Sequence, residues 1–337
     1  MKKKAIKALW KQCFTDSADF VDLYFDLRYN NEVNIALESG KDVIAALQLL
    51  PYPMTFCGKL IQTAYISGAC THPDYRNKGV MRELLSQAFG RMIQTKSLIS
   101  TLIPAESWLY DYYAHAGYAA VFHYAQKELS AQKLPTTASV QVSHTNQYEE
   151  EIYQYLNKKM EERSCCIQHT ETDFRVILAD LARTQDSVYV AKQEGAIVGI
   201  AVGYKWEQSV YVKELLTESE EISNELLHQI GQISGQDQIK LTLPPTPADE
   251  AHRSGMARII DAKSVLQLYA AAYPEQEMSI ELVDEQLSAN NGYYYVCNGK
   301  CMYSEERIPE THIRLNIGEL SERILAPLQP YMSLMLD

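Results

Sequence analysis

The chain has 337 residues, 46% hydrophobic and 22% charged, the balance of a folded globular protein of two or three domains. Its formal net charge of −12 argues against a nucleic-acid partner and suits cationic ligands, and it serves solubility as well. No apolar run approaches the ~18 residues of a membrane-spanning helix, so no membrane partner is expected. Lys7 and Lys11 interrupt the basic N-terminal stretch before any apolar signal-peptide core, which places the expected location in the cytoplasm. The cysteines, Cys13, Cys57, Cys70, Cys165, Cys166, Cys297 and Cys301, include no C-x-x-C pair, so no metal centre is expected and reduced, mostly buried thiols are the simplest reading.

In chain order, Ile6, Leu9, Trp10 and Cys13 fall at helical spacing, as do Phe20, Leu23, Tyr24 and Leu27, with Thr15–Ser17 supplying cap residues for the second helix. Strand patterning follows at 33–37, 43–50 and 60–70. After the break at 71–79, Val80, Leu84, Leu85, Ala88, Phe89 and Met92 mark an amphipathic helix. A strand at 98–103, a helix at 108–116 ended by Gly117, and a strand at 118–124 complete the first α/β unit.

The polar stretch 130–137 reads as a linker. The same order of elements then recurs: helices at 148–160 and 173–182, strands at 188–191, 197–204 and 210–216, a helix at 222–230 and a strand at 239–243. Between its third strand and its helix this copy has Glu214 to Glu221, acidic and free of glycine. Past Pro244–Pro247 come a helix at 264–272, strands at 278–283, 292–297 and 312–317, a helix from Glu319, and an apolar tail ending in Asp337.

The strongest chemical signal lies between the third strand and the first amphipathic helix. A helix start presents unpaired N–H groups and the positive end of its dipole, which together suit a pyrophosphate. Gly79 lets the backbone approach it, and Arg76, Lys78 and Arg82 add positive charge that would be unfavourable there without an anion. The run from Ala69 through Gly79 resembles the acetyl-CoA-binding motif of GNAT acetyltransferases, Q/R-x-x-G-x-G/A after a strand. Arg76 and Gly79 match the first and fourth positions. Met81 departs from the usual small residue at the sixth, which suits the enhanced intracellular survival branch of that family. The resemblance implies that Ala69, Cys70 and Thr71 border the pantetheine arm of acetyl-CoA, and that Arg76, Asn77, Lys78, Gly79, Val80, Met81 and Arg82 hold its pyrophosphate.

Acetyl transfer to an amine requires removal of a proton from the amine, donors for the thioester oxyanion and a proton for the leaving thiolate. Backbone amides at the end of the third strand can supply the donors. Tyr113 stands four residues before the Gly117–Tyr118 pair, which resembles the position of the family's general acid; Tyr110, Tyr112 and Tyr118 are the packing alternatives. For the base the residues leave His72, His115, His123 and Glu106 open, while the survival-family resemblance implies the carboxylates of Asp337.

The resemblance implies a mixed α/β architecture of two tandem GNAT folds, the second degenerate, followed by a sterol-carrier-like domain whose tail reaches the active site. The expected boundaries are 1–132, 138–245 and 250–337. It further implies a homo-oligomer acting on an amine, and the charge tilts the choice toward a polycationic small molecule. A lipid-binding protein or a non-catalytic acyl-CoA sensor on the same scaffold is the alternative.

Overall fold

The computed structural model describes residues 2–137, 139–307 and 312–336. The chain begins with α1 (Lys2–Cys13), α2 (Ala18–Leu27), β1 (Asn34–Ser39), β2 (Asp42–Phe56), β3 (Lys59–Thr71), α3 (Val80–Gln94), β4 (Ile99–Leu102) and α4 (Trp108–Ala114). It continues through β5 (Ala119–Ser130), β6 (Gln141–Thr145), α5 (Glu150–Glu161), β7 (Cys166–Ile167), α6 (Glu171–Thr184), β8 (Ser187–Gln193), β9 (Ala196–Trp206), β10 (Ser209–Thr217), α7 (Glu220–Ser234) and β11 (Gln238–Leu243). Then come β12 (His252–Ile259), α8 (Ala262–Ala272), β13 (Met278–Val283), β14 (Gly292–Cys297), β15 (Lys300–Ser304), β16 (Ile313–Asn316) and α9 (Ile317–Leu325). The fold is mixed α/β, and its described residues divide into two compact units. One holds the chain up to Phe122 together with Arg253–Pro330; the other holds His123–His252 and Tyr331–Leu336.

In the first unit, β1, β2 and β3 form an antiparallel meander, and β4 joins β3 in parallel. The connection from β3 to β4 runs through α3, as a parallel pair requires. Ala45, Leu47 and Leu49 of β2 pack with Leu84, Leu85, Ala88, Phe89 and Met92 of α3, while the alternate residues Ala46, Gln48 and Leu50 are buried too. Strand alternation therefore leaves neither face of β2 to solvent. On α1 and α2, Trp10, Tyr24 and Phe25 are buried, and the Tyr24 hydroxyl donates to Ser67 Oγ at 2.7 Å. β2 runs to Phe56, beyond the expected end at residue 50, through Pro51 and Pro53. Its pairing with β1 stops at Gln48, so β1 does not need the amide hydrogens that the prolines lack.

Arg253–Pro330 contributes to the core of this unit. β12 pairs antiparallel with β4, Met256 opposite Leu102, and Met256, Ile260 and Leu287 pack with the α3 cluster. A separate sheet has the order β15-β14-β13-β16. Its last strand ends at Asn316, which caps α9 and ends the extended run earlier than the residue-317 limit expected from patterning.

In the second unit, β8, β9 and β10 are antiparallel neighbours, and β11 joins β10 in parallel after α7. The order strand, strand, strand, helix, parallel strand therefore occurs twice in the chain. Two clusters fill the unit: one gathers residues of α5 and α6 with Val188, Val190, Ile200 and Val202, the other gathers Leu226, Leu227 and Ile230 of α7 with Val210, Val212 and Ile239. The stretch expected as a linker at 130–137 is pinned at its start: Ser130 Oγ and the Gln132 amide donate to the Asp237 carboxylate, and Ala131 is buried. The tail belongs to this unit. The Tyr331 amide donates to Cys165, the Ile167 amide donates to Tyr331, and His169 Nε2 donates to the Ser333 carbonyl.

Candidate functional site

The site grows out of β3. Pairing with β4 covers only Thr63–Tyr65, whereas β3 runs on to Thr71. Beyond Tyr65, among the described residues, one edge of β3 pairs with β2 and no strand pairs with the other. Within this stretch Leu47 of β2 faces both Gly68 and Ala69, a β-bulge that turns backbone groups out of the ladder. Gly68 has φ +59°, and a Cβ there would stand 2.0 Å from Cζ3 of Trp10. Only glycine fits both the left-handed backbone and the indole beneath it.

After Thr71 the chain makes one short 3-10 turn at Pro73–Tyr75 and enters α3. Asn77 and Gly79 are both left-handed, with φ +61° and +79°. Gly79 is the N-cap residue of α3 and has no side chain to cap the first amides. A Cβ on Gly79 would meet nothing within 4 Å, so the space in front of the helix is open. Alternating left- and right-handed residues direct successive amides into one concavity, the geometry of an anion nest. Arg76, Lys78 and Arg82 are exposed around it. Arg76 Nε donates to the Thr71 carbonyl at 3.1 Å, and Lys78 Nζ to the Asp74 carbonyl at 2.8 Å. The turn is thus preformed, uncapped and basic, and it fits a pyrophosphate.

Tyr113 lies on α4 and is 7% exposed. Burial, reinforced by Tyr112 and Cys70, raises its hydroxyl well above the usual tyrosine range, so it stays protonated at neutral pH and is able to donate. Tyr112 is half out of the core, and Arg82 of the α3 first turn offsets part of the rise that burial causes in it. α4 therefore links the acid candidate to the basic turn. Tyr118, the packing alternative, is fully enclosed with its hydroxyl against Ser100 Oγ at 2.6 Å. α4 ends at Ala114 with His115 as its cap, two residues short of the expected end, and Gly117, with φ +85°, lies beyond it against Ile317 and Arg258.

Three of the alternatives for the base have local employment. His72 Nδ1 accepts from the Asp74 amide, His115 Nδ1 donates to the Asp111 carbonyl, and Glu106 accepts from Trp108 Nε1. Asp337 lies outside the described residues. Ala69, Cys70 and Thr71 end β3, and the turn from Arg76 to Arg82 opens α3 a few residues later. Cys13 is the residue that sequence reasoning passed over: it ends α1 with its sulfur on the Thr71 carbonyl at 3.4 Å, and no spacing in the sequence announces a contact between residues so far apart. The thiols are also less hidden than expected, since Cys13, Cys57, Cys297 and Cys301 are partly exposed and Cys70, Cys165 and Cys166 are buried.

The family model of the acetyltransferase (GNAT) domain matches residues 2–121. No curated protein matches the chain. Among solved structures, a GCN5-related N-acetyltransferase from Anabaena variabilis ATCC 29413 is 17% identical with a TM-score of 0.78, over 98% of this chain and 96% of its own. One from Kribbella flavida is 20% identical with a TM-score of 0.76, over 99% and 95%. Eis1 from Mycobacterium abscessus is 13% identical with a TM-score of 0.71, over 96% and 86%.

Proposed function

We propose that this chain, whose residues 2–121 match the acetyltransferase (GNAT) domain model, moves an acetyl group from acetyl-CoA directly to a primary amine. One observation carries the reading: the bulged end of β3, unpaired along one edge, leads through a short 3-10 turn into an uncapped basic helix start, with Tyr113 on α4. In this reading Arg76, Lys78, Arg82 and the α3 amides bind the pyrophosphate. The free edge at Ala69, Cys70 and Thr71 pairs with the pantetheine arm and offers donors to the thioester oxygen. The amine attacks the thioester carbon, the tetrahedral intermediate collapses, and Tyr113 gives its proton to the departing thiolate. The Asp337 carboxylates are the proposed base that takes the proton of the amine.

The same reading assigns the chain to a plan resembling the enhanced intracellular survival proteins, with a degenerate second GNAT fold and a sterol-carrier-like last segment. The fold likeness to Eis1 supports it. The acceptor is proposed to be a polycationic amine, in keeping with the net charge of −12, and the protein to work as a homo-oligomer.

The test is thiol release from acetyl-CoA with a panel of mono- and polyamines, comparing the intact chain, Tyr113→Phe and a variant lacking the last four residues. Turnover that both changes abolish, with the fold retained, supports the acid and the base together. Binding of acetyl-CoA without turnover of any amine would overturn the acceptor assignment and favour an acyl-CoA sensor.

A further inference from the structure

Two thiols meet at the end of β3. Cys13, partly exposed at the last residue of α1, donates through Sγ to the Thr71 carbonyl at 3.4 Å. Cys70, 5% exposed, is the residue before Thr71, so the Cys13 sulfur rests on the peptide group next to it. The Thr71 carbonyl also accepts from Arg76 Nε at 3.1 Å, so a single acceptor holds the Cys13 sulfur and the Arg76 guanidinium side by side. α1 and β3 are separated by more than forty residues of chain yet are in direct contact here.

We propose that Cys13 and Cys70 are a peroxide-sensitive thiol pair that closes to a disulfide between α1 and β3, and that acyl-CoA held at the Arg76 turn keeps the pair reduced. The first step is attack of the Cys13 thiolate on a hydrogen peroxide oxygen. An S–O bond forms, the O–O bond breaks, and hydroxide leaves to take up a proton as water. The Cys70 sulfur then attacks the Cys13 sulfenic acid; the S–S bond forms, the S–O bond breaks, and hydroxide leaves with the Cys70 proton as a second water. Two thiols lose two electrons, and the peroxide is reduced to two waters.

The surroundings select Cys13 as the attacking group. The hydrogen bond from Cys70, then Arg76 and His72, hold its thiol down at about 6 against the ordinary 9.0, although burial opposes them. Burial pushes Cys57 and Cys166 up to about 12 and Cys301 up to about 11, so they are poor nucleophiles at neutral pH. Cys70 is held well above the ordinary range by the neighbouring Cys13 sulfur and by burial, which suits a resolving thiol that arrives protonated. The link to ligand rests on the proposed acyl-CoA site. An anion at the turn draws on the charge of Arg76, the Cys13 thiolate loses that support, and its oxidation slows.

The experiment treats the full chain with hydrogen peroxide, with and without saturating acetyl-CoA. It then alkylates the remaining thiols and maps the unreduced digest by mass spectrometry. The expected product is a Cys13–Cys70 cross-linked peptide lighter by two hydrogens, absent in Cys13→Ser and in Cys70→Ser, and formed several-fold more slowly with acetyl-CoA. Arg76→Ala is expected to abolish that protection. Cys13 trapped as sulfenic or sulfinic acid while Cys70 remains open to alkylation overturns the pair, as does cross-linking at other cysteines alone. Calorimetry of the same samples separates the readings. Acetyl-CoA that binds without protecting overturns the coupling, whereas acetyl-CoA that does not bind sinks the proposed acyl-CoA site and leaves the disulfide to stand or fall on its own peptide.

Discussion

Gly117 and Arg258 are packed so closely that a Cβ on the glycine would stand 2.7 Å from Nη1 of the guanidinium and 2.5 Å from Cγ2 of Ile317. The turn that follows the Tyr113 helix is thus seated on side chains from the last third of the sequence. Gly117→Ala is therefore expected to destabilise the protein by roughly 2–4 kcal/mol, through its positive φ and through overpacking. Urea unfolding measures it, and an unchanged midpoint would refute the contact.

Arg258 is fully buried over the Phe89 ring, and its Nη2 donates to both oxygens of Asp284 at 2.8 and 2.9 Å. Asp284 also accepts from Asn290 Nδ2 and from the amides of Gln286 and Leu287. Asp284→Leu leaves a buried charge without its partner and is expected to cost about 3–5 kcal/mol. The double variant with Arg258→Leu removes that charge, so it is expected to be more stable than Asp284→Leu alone. Thermal unfolding of the set checks the order.

Tyr113→Phe is expected to lower kcat by about 10²–10⁴ while leaving the affinity for acetyl-CoA unchanged, because it removes a proton donor and not a binding contact. Burial holds the hydroxyl protonated beyond the ordinary tyrosine range. The kcat profile of the wild type should accordingly show no alkaline fall below about pH 10, the unperturbed tyrosine value. A fall near neutrality would assign the acid to another group.

Cys13 supplies a pH prediction with a definite sign. Its thiol is lowered from 9.0 to about 6, so the folded state favours the thiolate. The associated stability is fully present above pH 9.0, declines as pH falls and is lost on passing below about 6. Alkylation of Cys13 by iodoacetamide should rise through a midpoint near 6, and Arg76→Ala should move that midpoint upward. A midpoint near 9.0 in the native protein would contradict the thiol environment.

In the second unit the tail is held by a buried carboxylate. Glu214, 1% exposed, takes Arg163 in a two-point ion pair at 2.7 and 3.0 Å and accepts from Ser333 Oγ. Arg163 lies over the Tyr331 ring at 4.8 Å. Glu214→Gln keeps the shape and removes the charge. It is expected to weaken tail docking by about 1.5–3 kcal/mol, seen as faster hydrogen exchange in a peptide covering residues 331–336. Exchange that stays at the wild-type rate would show that Tyr331 and His169 suffice.

What could be read from the sequence was local chemistry. Apolar spacing marked α3 and the strands around it. The chemistry of glycine and arginine marked the turn from Arg76 to Arg82; Tyr113 was singled out from the neighbouring tyrosines only by the resemblance to the GNAT pattern. Each of these signals lies within a few residues and depends on backbone periodicity, capping or charge at a helix end, which the chain carries wherever it folds. The second α/β copy was legible for the same reason, since element order is itself local information.

The tertiary structure decided what depends on distance in space. Nothing near Gly68 foretells a bulge, because the shift of register against β2 and the indole of Trp10 both come from other elements. Cys13 and Cys70 look like two isolated thiols until α1 lies on β3. Nothing in the sequence around Arg258 announces that it is buried against Asp284. β2 continues through Pro51 and Pro53 because β1 stops short of them. The sequence by itself determined most of the helices, the strands around α3 and the basic turn, since hydrogen bonding and charge act between near neighbours, but it did not announce β6, β12 or β15. Which side chains share a buried environment was decided only when the elements packed, because desolvation and steric exclusion act on whatever packing brings within a few ångströms.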